Sequence, residues 1–263
     1  MFNIIRSINY TSRRNKAILL TVFAMATLPL LVPQLFGAPL SAITAEIYFA
    51  KLMTEVAAVW VFPIMILSAI VSSGDAGDKT LNYEIMAGRG RKTIFLARTV
   101  DGILWGALLP AFLLYLPLLY YGLLNGWVPE AMNIGDTLLR LLLSLLPMAR
   151  IAAMIIMISV IFRSAGKGIG FGYLILEAAM IIYEVVQTVA PDFVKEWMVG
   201  LYNLSWVLTL PNSRYYVING ENTEVFETAL TSDLVIPTVI ASIVMITVYL
   251  GLAYWHFTKK DRD

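Results

Sequence analysis

Three ionisable side chains stand inside otherwise apolar stretches of this 263-residue chain: Arg150, Glu177 and Glu184. A charge at mid-bilayer costs on the order of 2.5–3.5 kcal/mol even on a lenient insertion scale, so such groups are expected to face protein or water and to pair with one another. Counted from Arg163 at 1.5 Å per helical residue, Arg150 lies roughly 20 Å from the inner surface. Glu177 and Glu184, counted from Lys167, lie roughly 15 Å and 25 Å deep and share one helical face. Three roles are open to them: a buried latch between adjacent helices, a carboxylate lining a conduit for a cationic substrate, or a proton relay. Other chemistry is scarce. The chain has no Cys and one His, His256, which excludes disulfides, thiol catalysis and a multi-histidine metal site. No catalytic residue, metal site or nucleic-acid partner is expected.

The densest charge lies between residues 74 and 101. Asp75 and Asp78 precede Leu81, Tyr83, Ile85 and Met86, so a carboxylate can cap a short helix with Leu81 and Ile85 on its apolar side, ended by Gly88. A second short helix would begin near Arg91. Such a loop offers a docking surface, or a basic segment held by anionic headgroups.

The elements that position these residues follow from composition. Hydrophobic residues make up 59% of the chain and charged residues 14%, against roughly 45–50% and about 25% in a soluble domain. Six stretches are long and apolar enough to span a membrane: Ala17–Phe36, Val56–Ser73, Gly102–Leu124, Leu141–Phe162, Gly168–Ala190 and Leu234–Trp255. Without the alternation of barrel strands they read as helices, giving an all-α integral membrane bundle in one domain. Pro29, Pro33, Pro63, Pro110, Pro117 and Pro147 predict kinks.

Lys and Arg in short loops stay in the cytoplasm. With the N-terminus inside, the inner segments hold Arg6, Arg13, Arg14 and Lys16, then Lys79, Arg89, Arg91, Lys92 and Arg98, then Arg163 and Lys167, then Lys259, Lys260 and Arg262. The outer segments hold Lys51, Lys195 and Arg214, among many carboxylates, and Arg140 and Arg150 lie within or beside the fourth stretch. Both termini are therefore expected inside. Phe2, Ile5 and Ile8 recur at helical spacing with Arg6, Asn9 and Arg13 off that face, which predicts an interfacial helix over 1–16. In the outer loop, 191–233, Phe193, Trp197, Leu201, Leu204 and Leu208 predict an amphipathic or re-entrant helix, followed by a polar stretch from Asn212 to Asp233.

Thr80-Leu81, Arg91 eleven residues later and Arg98 seven beyond it resemble the segment between the second and third helices of type-2 ABC exporter permeases, the class that includes bacteriocin-immunity and antimicrobial-peptide export systems. Lys79 replaces that family's Gly before Thr80, Gly88 its common Pro and Arg98 its Lys. The resemblance implies a bacterial plasma-membrane permease, paired with a second copy or related chain and driven by two separate ATP-binding subunits that carry ATP and Mg. It assigns ATPase coupling to Asp78, Thr80, Leu81, Ile85, Met86 and Arg91, and outward movement of amphipathic peptides, cationic ones among them, or other hydrophobic molecules to the spans. Consistent with a partner ATPase, no phosphate-loop motif occurs in this chain. The alternative is a proton-coupled secondary transporter using Glu177, Glu184 and Arg150.

Overall fold

The computed structural model describes residues 2–35, 44–45, 48, 57–73, 88, 90–126, 134–205, 213–226 and 230–259. Each of the six apolar stretches forms a helix there. They are α2 (Lys16–Leu35), α3 (Ala57–Ser73), the pair α4 (Arg91–Ile103) and α5 (Leu109–Asn125), α6 (Ile134–Phe162), α7 (Ala165–Val189) and α9 (Ser232–Lys259), preceded by α1 (Phe2–Ser12). Among the described residues, four continuous helical segments are long and apolar enough to cross a membrane: Arg91–Asn125, Thr137–Phe162, Ala165–Val189 and Ser232–Lys259. Lys16–Leu28 and Val61–Ser73 are shorter apolar helices. The architecture is that of a helical membrane protein.

Helix starts follow the side chains that precede them. Asn15 caps α2, its Oδ1 accepting from the Ala17 amide at 2.9 Å. Ser164 caps α7 by accepting from the Lys167 amide at 3.4 Å.

Helix α6 is the hub, packed against α3, α7, α9 and the α4–α5 rod. The core gathers Ile64, Met65, Met148, Ile151, Ala152 and Ile155. Glycines set its closest approaches. Gly168 faces the Ser159 side chain and Gly172 the end of Ile155, each nearer than a Cβ would allow. Small residues let helix backbones meet closely where lipid supplies no hydrophobic drive for association. The large apolar side chains left exposed on α7 and α9, such as Leu174, Ile181, Ile240 and Val248, belong to faces in contact with lipid once the bundle is in a bilayer.

Between α4 and α5 the rod makes a π-helical turn, Leu104–Leu108, that the sequence did not announce. Its cause lies two residues beyond it. Pro110 has no amide proton for the Gly106 carbonyl four residues back, and its ring crowds that carbonyl. A wider turn absorbs both problems while the rod continues.

The expected outer segment is more varied than an all-helical reading allows. Helix α8 (Asp192–Ser205) turns Val199 and Tyr202 inward, with Tyr202 stacked on Tyr183 of α7 at 3.9 Å between ring centroids. Phe193, Trp197 and Leu201 form an exposed apolar stripe on its other side. The polar stretch that follows contains an antiparallel hairpin, β1 (Ser213–Ile218) with β2 (Glu221–Phe226), registered Ser213 to Phe226 and Ile218 to Glu221. Asn219 and Gly220 close it with φ of 54° and 84°, the left-handed pair that a two-residue hairpin turn requires.

Candidate functional site

The N-terminal helix forms as the sequence predicts, but its buried face is shifted. Ile4, Ile8 and Ser12 point inward while Phe2 stands 86% exposed. Ile4 takes the place expected of Phe2 because four-residue steps back from Ile8 and Ser12 keep one stripe against the bundle, and α1 lies on α4 along that stripe. This orientation directs Asn9 to the rod. Its Nδ2 donates to Asp101 Oδ1 at 2.9 Å, and its Oδ1 accepts from Trp105 Nε1 at 2.8 Å. One amide thereby ties α1 to the last turn of α4 and to the π-helical turn.

These three residues stand at the mouth of a groove of about 600 Å³. Asn9, Arg13 and Asp101 are its polar end; Leu104, Leu108, Phe112, Leu116 and Leu119 form a wall along the rod, with Leu141 and Leu145 of α6 opposite. From Asp101 to Leu119 the rod advances about 27 Å at 1.5 Å per residue, close to the roughly 30 Å of a hydrocarbon core. Polar groups at one end and a long apolar wall suit an amphipathic molecule lying along the helix axis. The sequence reading placed Asn9 and Arg13 off the apolar face of α1 but assigned no partner to either. Asp101, the last residue of the charged loop, was the available signal: a carboxylate entering an apolar run needs a donor.

Asn9→Leu is expected to release α1. Two hydrogen bonds are lost, one of them to a carboxylate, and Asp101 is left without a donor, which together weaken the docking by about 2–4 kcal/mol. Limited proteolysis in detergent should then cut at Arg13 and Arg14 markedly faster, with altered emission from Trp105; cleavage at the wild-type rate refutes the tie.

The residues singled out in the sequence that are described fall on three helices. Asp78, Thr80, Leu81, Ile85 and Met86 lie outside the described residues. Arg91 is the first residue of α4, directly after Gly90, whose extended backbone (φ −64°, ψ 132°) starts the helix. Arg150 is buried in α6 at 2% exposure, in electrostatic contact with Tyr249 of α9. Glu177 is half-buried and Glu184 exposed on α7.

Among the described residues no ion pair joins Arg150 to either Glu, although the depths agree. Gly168 meets Ser159 and Gly172 meets Ile155, so the same antiparallel register brings Glu177 level with Arg150. The difference is angular. Helix α7 buries Gly168, Gly172, Leu176 and Tyr183, and each Glu follows a buried residue by one position, about 100° around the helix. Also among the described residues, no group of three or more His, Cys, Asp or Glu could hold a metal ion.

Comparison of the chain with protein-family models, with curated proteins and with solved structures finds no match. The functional reading therefore rests on the residues themselves.

Proposed function

We propose that the chain is the membrane-spanning permease subunit of an ATP-binding-cassette exporter in a bacterial plasma membrane, moving amphipathic peptides or other hydrophobic molecules outward. In this reading all six apolar helices cross the bilayer with both termini in the cytoplasm. A second permease copy or related chain completes the path, and two separate subunits supply ATP and Mg. The observation that carries the reading is the Asn9 bridge. The charged loop resembling a coupling segment feeds directly into α4, and α4 is fastened to α1 at the mouth of an amphipathic groove. A push on the loop would then reach the groove through one continuous helical rod bearing a π-helical turn, a local irregularity suited to bending.

The decisive experiment co-expresses the chain with the ATP-binding subunit encoded beside it. Changing Leu81, Ile85 and Met86 together to Asp removes the apolar docking edge and should reduce peptide-stimulated ATP hydrolysis to the basal rate, with the permease still in the membrane. Stimulation at the wild-type level in that variant would end the coupling assignment.

A further inference from the structure

The mouth of the groove carries two opposite charges with different surroundings. Arg13 is exposed on α1, whereas Asp101 is fully buried on α4. Asp101 Oδ1 accepts from Asn9, and Oδ2 has no hydrogen-bonding partner among the described residues. Buried carboxylate oxygens are ordinarily satisfied, and one left over calls for a donor from a ligand. Because Asn9 occupies Oδ1 alone, an incoming ammonium displaces no existing bond. Arg13 presents a guanidinium fork that matches the oxygens of a phosphate.

The apolar part suits an acyl chain. Leu104, Leu108, Phe112 and Leu116 of the rod form one wall with Leu141 and Leu145 of α6, and a volume of about 600 Å³ is of the order of a cleft taking one small molecule.

We infer that the groove holds a membrane phospholipid with a primary ammonium headgroup: the ammonium donates to Asp101 Oδ2, the phosphate lies on Arg13, and one acyl chain runs along Leu108, Phe112 and Leu116. The inference rests on the membrane placement proposed above and is independent of ATP-driven export. The headgroup chemistry makes it selective. A phosphatidylglycerol offers Arg13 the same phosphate but brings no cation to Asp101.

The test reconstitutes the chain in nanodiscs of equal phosphatidylethanolamine and phosphatidylglycerol, extracts it in mild detergent and identifies the retained lipid by native mass spectrometry. The expected result is one phosphatidylethanolamine per chain, enriched roughly tenfold over phosphatidylglycerol, the factor that one charge-assisted hydrogen bond supplies. Asp101→Asn, which keeps the side chain's shape, should bring the two lipids to parity. Leu116→Trp, on the exposed wall, should lower retention of both and leave the melting temperature unchanged. Selective retention by a chain that shows no ATP-driven export supports this inference and removes the transport reading. Equal retention of the two lipids by the wild type, or an enrichment that survives Asp101→Asn, overturns it. So does a second copy occupying the groove, seen as a disulfide-linked dimer of Phe112→Cys. A chain that washes off membranes without detergent overturns both the inference and the membrane placement.

Discussion

Replacing Gly106 by leucine is expected to abolish the folded protein. A Cβ at this position would collide with the Ser68 hydroxyl, stand 3.0 Å from Ser68 Cβ and lie 3.3 Å from Ala152 Cβ, so α3 and α6 both press on the rod at one point. Ser68 has no easy way to yield: it is wholly buried, and its hydroxyl donates to the Ile64 carbonyl at 2.6 Å. Extra methylenes in a well-packed core cost about 1–3 kcal/mol when the structure can adjust. Leucine adds a branched side chain where three helices meet, and more than about 3 kcal/mol is expected, a large share of the 5–15 kcal/mol of a typical fold. The control is Gly170→Leu on α7, where no atom lies within 4 Å of the added Cβ; it should cost less than about 0.5 kcal/mol. Folded yield by size-exclusion chromatography and thermal melting in detergent compare the two. A Gly106→Leu protein that melts with Gly170→Leu would refute the packing described at the rod.

The contrast between these two glycines shows what a sequence of this kind discloses. Apolar length is a one-dimensional property, so the six helical stretches were readable, with observed ends within a few residues of the expected ones at Lys16, Ala57, Asn125 and Phe162. Which side of a helix meets which neighbour was not readable. Glycines in α4, the π-helical turn and α7 look alike in sequence, and only register decides that Gly106 is clamped while Gly170 is open. Apolar residues surround every span, so there is no polar face to orient it as there is in α1 or α8. The Glu177 case has the same origin: its depth follows from counting, but its azimuth follows from small residues packing at Gly168 and Gly172. Even in α1 the face was displaced, because Ile4 and Ile5 are both apolar and helical spacing back from Ile8 admits either.

Two other features differ in kind. The hairpin was within reach, since Asn219-Gly220 between the β-branched and aromatic residues of Tyr215–Ile218 and Thr223–Phe226 is a strong short-range hairpin signal; the high polarity of the surrounding stretch obscured it. Of the Asn9–Asp101–Trp105 cluster only Asp101 carried a signal, a carboxylate in need of a donor, and it did not say which donor. Asn9 is more than ninety residues from Asp101 and Trp105, and nothing local marks it as different from any other polar residue on the polar side of an amphipathic helix.

Arg150 provides the second large expected effect, and it separates the cost of holding a charge in the membrane from the preference of this site for its sign. Arg and Glu at the centre of a span are both expensive, so Arg150→Glu leaves the burial of a charge broadly unchanged. What changes is the local field. Arg150 is 2% exposed between helices that include α9, and the Tyr249 hydroxyl is the electrostatic neighbour identified there. A site organised around a cation directs oxygen lone pairs at it, and a carboxylate in the same volume meets those lone pairs with no proton of its own to offer. The expected cost is about 3–5 kcal/mol, the range for a buried charge whose compensation is removed. Arg150→Lys retains the sign while losing the planar fork, and is expected to remain within about 1.5 kcal/mol of the wild type. Resistance to detergent-induced unfolding measures both. Glu and Lys variants of equal stability would mean that the site holds a charge without regard to its sign, and Arg150 would then be acting through the packing of its alkyl stem alone.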